Sequence, residues 1–187
     1  MPRLYVDRAT LMNFLHRLEE GFAHPGRVYL VGETTQVFEG WTDRMRRLEF
    51  FAEISEDERV RFNQITNNLQ EEMEMDVFEE SPANVIPLPA GYEERARSGG
   101  DGWGGPLAIY HFDPYSIAIR LITRGDEPDY HTVLAFLRHG WITLEKMEVL
   151  LAELLPRFST ETIAQDPAEF RRKYRGLLQM WRAGQTE

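Results

Sequence analysis

The sequence predicts an α+β fold, a mixed sheet flanked by helices and followed by a helical C-terminal part. Three observations predict it. Residues 48–54 alternate strictly: Leu48, Phe50, Ala52 and Ile54 point one way, and Glu49, Phe51 and Glu53 the other. That is the period of a half-buried strand. Leu11, Phe14, Leu15, Leu18 and Phe22 recur at the spacing of a single helical stripe. Beyond Asp113 the text is a succession of capped amphipathic segments.

Each element can be justified in chain order. Asp7 is placed to cap the first helix, and His24-Pro25-Gly26 stops it. Residues 27–31 read as a short buried strand. Gly32 follows at once, and residues 33–38 read as a short helix ended by Gly40. After the alternating strand, Ser55 and Glu58 have capping-box spacing ahead of Phe62, Ile65, Leu69 and Met73. Residues 76–79 are a strand, and residues 84–88 a second one stopped by Pro87 and Pro89. Residues 89–106 are rich in Gly, Pro and charge and read as a mobile surface loop. Residues 107–112 form a last strand. Asp113-Pro114, Thr143 and Asp166-Pro167-Ala168-Glu169 then open helices, and Asp129, Tyr130, Val133, Leu134 and Leu137 lie on another. The expected division is an α/β core over residues 1–112 with residues 113–187 packed on it as one compact unit.

Composition narrows the function classes. With 187 residues the chain can bury a substantial core. Its formal charge of -10 disfavours non-specific binding to nucleic acid, because an acidic surface repels phosphates. Two basic clusters, Arg44, Arg46 and Arg47 and then Arg171, Arg172, Lys173 and Arg175, read as solvated faces. The chain has no cysteine, which excludes disulfides, thiolate catalysis and cysteine-ligated zinc. Residues 1–15 lack the apolar core of a secretory signal, and no apolar run suffices to span a bilayer. A cytoplasmic location is expected. None of the five histidines has metal-ligand spacing to another, so each reads as a surface or satisfied core residue.

The stretch Val28-Tyr29-Leu30-Val31-Gly32-Glu33-Thr34-Thr35, followed by Trp41 and Leu48-Glu49-Phe50, resembles the minimal nucleotidyltransferase superfamily. Val85-Ile86-Pro87-Leu88-Pro89-Ala90-Gly91-Tyr92 resembles its bacterial branch related to AbiEii-type toxins. So does Asp113-Pro114-Tyr115 with Arg120, Arg124-Gly125 and Asp129. The likeness covers roughly residues 25 to 155 and rests on the order of motifs. It implies a nucleotidyltransferase-like mixed sheet. In that family a Gly-Gly or Gly-Ser turn approaches a nucleoside triphosphate (NTP), and an Asp-x-Asp pair on a strand holds Mg²⁺.

This sequence departs at those places. Glu33 stands at the second position of the turn, where a carboxylate repels a triphosphate. Arg47 replaces the first acid of the pair, and Glu49 aligns with the second. Glu49 is then either a metal ligand or a carboxylate paired to Arg47 or Arg46. A rebuilt acidic site would use Glu49, Glu53 and an acid near Glu79 or Glu80. The resemblance assigns ligand contacts to Gly32, Glu33, Thr34, Arg47, Arg124 and Asp129, although Arg124 and Asp129 equally suit a structural pair joining two helices. Three functions follow. One is a pseudoenzyme, non-catalytic or catalytically altered, that binds a nucleotide weakly or a protein partner, as modules of toxin–antitoxin and defence loci do by analogy. Another is an active Mg-dependent transferase, requiring Mg²⁺ and NTP. The last is a plain protein-interaction domain with no ligand.

Overall fold

The structure, a computed structural model, describes residues 5–161 and 166–185. Residues 1–4, part of the stretch read for a leader, lie outside them. The fold is mixed α+β with a helical C-terminal part. The chain divides into two compact units, Met1–Ser81 with Arg97–Phe112, and Pro82–Ala96 with Asp113–Glu187.

The first unit is built on a five-stranded sheet of order β5-β4-β2-β7-β6. Its strands are β2 (Gly26–Leu30), β4 (Arg47–Glu53), β5 (Asp76–Glu79), β6 (Arg97–Ser98) and β7 (Leu107–His111). Strand β2 runs antiparallel to β4 and parallel to β7, while β5 is parallel to β4. A two-stranded ladder joins β1 (Val6–Asp7) to β3 (Arg44–Met45).

Helices α1 (Arg8–Phe22), α2 (Glu33–Glu39) and α3 (Glu56–Glu72) complete this unit. Asp7 caps α1 by accepting a 2.8 Å bond from the Thr10 amide. The stripe from Leu11 to Phe22 is buried, as its spacing predicts. It joins Val28 and Leu30 of β2, Leu48, Phe50 and Ala52 of β4, and Phe62 and Leu69 of α3 in one core. The even residues of β4 therefore face that core. Its odd residues lie on the opposite face, where Phe51, Tyr29 and Phe112 form an aromatic cluster, Tyr29 stacking on Phe51 at 6.0 Å and meeting Phe112 edge-on at 5.4 Å.

Three local expectations are corrected. Residues 84–88 form no strand: a 3-10 turn spans Pro82–Asn84, and irregular chain follows. Pro87 and Pro89 have no N–H for a ladder. Ser55 precedes α3 but makes no side-chain capping bond. Residues 89–106 are not one uniform loop. Arg97 and Ser98 pair with His111 and Tyr110 as an edge strand. Arg95 forks onto Asp113 at 2.9 and 2.8 Å.

In the second unit, α4 (Pro114–Arg124) is buried from Pro114 to Thr123. Helices α5 (Glu127–Arg138) and α8 (Pro167–Ala183) pack on it, and α6 (Leu144–Leu154) and α7 (Phe158–Glu161) complete the unit's helices. Asp113 caps α4 by accepting from the Tyr115 and Ser116 amides. Lys173 of α8 caps its other end, Nζ donating to Thr123 O at 2.6 Å. A cation there meets the negative end of the helix dipole.

Candidate functional site

Five residues singled out in the first unit, Gly32, Glu33, Thr34, Arg47 and Glu49, converge on the turn between β2 and α2. Gly32, the residue before α2, has φ 59 and ψ −129, a conformation that glycine alone adopts readily. A Cβ added there would lie 3.5 Å from Glu49 Oε2, so the Glu49 carboxylate rests against the bare turn. Thr34 fixes the other side: its Oγ1 accepts a 2.7 Å bond from the Glu49 amide. The turn and the middle of β4 are thus locked together.

Arg47 lies beside Glu49. Its Nε donates to Glu49 Oε1 at 2.7 Å, and its guanidinium carbon sits 4.6 Å over the Phe78 ring. The Glu49 side chain is only 11% exposed, whereas that of Arg47 is 42% exposed. A carboxylate this enclosed needs a compensating charge, and the chain supplies one from its own backbone neighbour. In the structure Glu49 is held in an ion pair with Arg47. Glu33 begins α2, half-buried, where the helix dipole favours a carboxylate.

Glu53 and Glu79, two of the other acids of a rebuilt metal site, are not brought together with Glu49. Glu53 lies on the same face but four residues along, roughly 13 Å at strand rise, beyond the span of a shared Mg²⁺. It accepts a 3.2 Å bond from the Tyr29 hydroxyl and lies 3.8 Å from Arg27. Glu79 pairs in register with Phe50, which puts it on the opposite, core-facing side of the sheet from Glu49. There it takes a 2.8 Å bond from Arg59 and a 3.2 Å bond from the Ala52 amide. Among the described residues, no group of three or more His, Asp or Glu is gathered to hold a metal ion.

Arg124 and Asp129 belong to the second unit. Arg124 Nε donates to Asp129 Oδ2 at 2.6 Å across the turn joining α4 to α5, and Nη2 reaches the second oxygen. Gly125 makes that turn with φ 76. The pair joins the end of α4 to the start of α5.

Sequence reasoning missed one buried polar cluster beside the turn. His111 at the end of β7 is 1% exposed. Its Nδ1 is 3.1 Å from Thr35 Oγ1, and its Nε2 is 2.9 Å from Glu39 Oε1. The hydrogen bond to His111 holds the Glu39 carboxyl below the usual carboxylate range, with partial burial opposing it. Arg8 and Arg97 also act on Glu39. The two threonines after Gly32-Glu33 thus tie α2 to strands on both sides, Thr34 to β4 and Thr35 to β7. Adjacent threonines at the start of a helix were the visible signal, because buried hydroxyls need partners.

No family model, curated protein or solved structure matches this chain. No helix among the described residues is long and apolar enough to cross a membrane.

Proposed function

We propose that this chain is a nucleotidyltransferase-like scaffold that works by binding rather than by transferring nucleotides, with its carboxylate site closed by its own arginine. The observation that carries this reading is the 2.7 Å Arg47–Glu49 pair against the Gly32 turn. In an active site of this kind, two acids two residues apart would hold Mg²⁺ against the phosphates. Here one acid is an arginine, and the remaining acid is already neutralised. Glu33 at the start of the turn's helix disfavours a triphosphate further, since a carboxylate repels phosphate charge. The separation of Glu53 and Glu79 from Glu49 favours this reading over a rebuilt metal site. The proposed setting is the cytoplasm.

Thermal unfolding with each ribonucleoside triphosphate, with and without Mg²⁺, tests the proposal. A ligand at about 100 times its Kd stabilises by about 2.7 kcal/mol, a shift of several degrees in a chain this size. The expected outcome is a small, Mg²⁺-independent shift or none. A large Mg²⁺-dependent shift that Glu49→Gln abolishes, with transfer of label from the triphosphate, would restore the active transferase and end this proposal.

A further inference from the structure

Residues 99–105 contain five glycines and one large apolar side chain, Trp103. Three of the glycines are required by the closed conformation. A Cβ at Gly99 would lie 2.9 Å from Ile109 O, Gly100 has φ 93, and a Cβ at Gly105 would press on the Glu19 side chain at 3.0 Å. Gly102 and Gly104 are different. Added Cβ atoms there would meet nothing within 4 Å, and neither sits in the left-handed region. Glycine at such positions serves no contact of the closed state. It enlarges the conformational freedom of the open one.

The segment is held at three points. The Gly99 amide donates to Ile109 O at 2.9 Å, continuing the β6–β7 ladder. The Trp103 indole N–H donates to Gly99 O at 3.2 Å, while its ring lies 4.7 Å from His16 and 6.4 Å from Phe38. The Gly105 amide donates to Glu19 Oε1 at 2.6 Å. Glu19 is a buried carboxylate on α1, with His16 Nδ1 3.9 Å from its other oxygen. Between these anchors Asp101, Gly102 and Gly104 are exposed.

We propose that residues 99–105 are a hinged strap that opens locally in the folded protein, with Trp103 as the removable plug of a slot formed by His16, Phe38 and Glu19. In the closed state the slot is filled by the chain's own indole. Opening withdraws the indole and the Gly105 amide together, because they are two residues apart on one glycine-loosened segment, and it bares the Glu19 carboxylate. The device belongs to the first unit and does not depend on whether the chain binds nucleotides.

Amide and indole hydrogen exchange on the full chain tests it. Gly105 N–H and the Trp103 indole N–H are expected to exchange much faster than Leu15 N–H, which sits in the core of α1 and reports global unfolding. The double variant Gly102→Ala/Gly104→Ala should slow the strap protons by about four- to thirty-fold, the effect of removing two glycines' freedom from the open state, and slow Leu15 by a similar factor, because the strap is equally loose in the unfolded chain that Leu15 reports. Trp103→Ala should speed exchange at Gly105 while Leu15 protection shows that the fold persists. Exchange of the strap protons at the Leu15 rate, or rates indifferent to the double alanine variant, would overturn the proposal.

Discussion

At the scale of single residues, the Arg47–Glu49 pair shows how the residue two positions from a carboxylate sets its chemistry. Residues two apart on a strand share a face, so whatever stands at position 47 meets Glu49 at close range. An acid there would leave two like charges calling for a divalent cation, whereas an arginine answers the charge itself. The pair has one enclosed partner and one half-exposed partner, so its removal should cost less than that of a fully buried pair. Arg47→Met keeps the contact with Phe78 but strands the Glu49 carboxylate, and should destabilise the chain by about 1–2 kcal/mol in urea unfolding. Glu49→Gln in the same background should recover much of that loss, since a neutral amide needs no cation. A double variant as unstable as Arg47→Met alone would mean that the two side chains do not act as a pair.

At the scale of elements, what was legible in the sequence followed periodicity, and what was not followed distance along the chain. The α1 stripe and the β4 alternation could be read directly, because a single buried face stamps its period on the sequence. The caps at Asp7, Asp113, Thr143 and Asp166 were legible for a similar reason, since each acts on an amide two or three residues away. Residues 84–88 misled because apolar residues punctuated by prolines resemble an edge strand until a ladder partner is sought. The pinning of the strap was invisible, because the Gly105–Glu19 bond spans 86 residues. The Thr35–His111 contact spans 76 and was hidden in the same way. Of the candidate site, the shared face of Arg47 and Glu49 was legible. The exile of Glu79 to the other face was not, because it depends on the register between β4 and β5.

The start of α4 offers the sharpest test at this scale. Asp113 is fully buried and gathers two helix amides, the Ser116 hydroxyl at 2.7 Å and the forked Arg95 guanidinium. One carboxylate therefore caps the central helix of its unit and anchors residues 82–96 to it. Asp113→Ala removes the cap and leaves the Arg95 charge without its partner, a loss of about 3–5 kcal/mol. Asp113→Asn keeps the side-chain oxygen that accepts from the amides but weakens the bond to Arg95, so it should fall between the two. Equal destabilisation by alanine and asparagine in thermal unfolding would show that the charge, and not the cap, carries the effect.

At the scale of the whole molecule, the excess of acid sets the response to salt. The formal charge of -10 makes the folded chain repel itself, and screening relieves that repulsion. Screening also weakens ion pairs, so the sign of the net effect depends on how much those pairs contribute. Many lie on the surface: Arg17–Glu72, Arg157–Glu161 and Arg172–Glu169 all join side chains at least one-third exposed. Pairs of this kind contribute little even at low salt. The enclosed charges, Glu49 with Arg47 and Asp113 with Arg95, are shielded from bulk ions and should change least. Relief of repulsion therefore wins, and raising NaCl from 20 to about 300 mM should lift the Tm by about 2–4 °C, the shift that about 1 kcal/mol produces in a chain of this length. Differential scanning calorimetry across that range measures it. A Tm that falls with salt would mean that the surface pairs form a network stronger than their exposure implies.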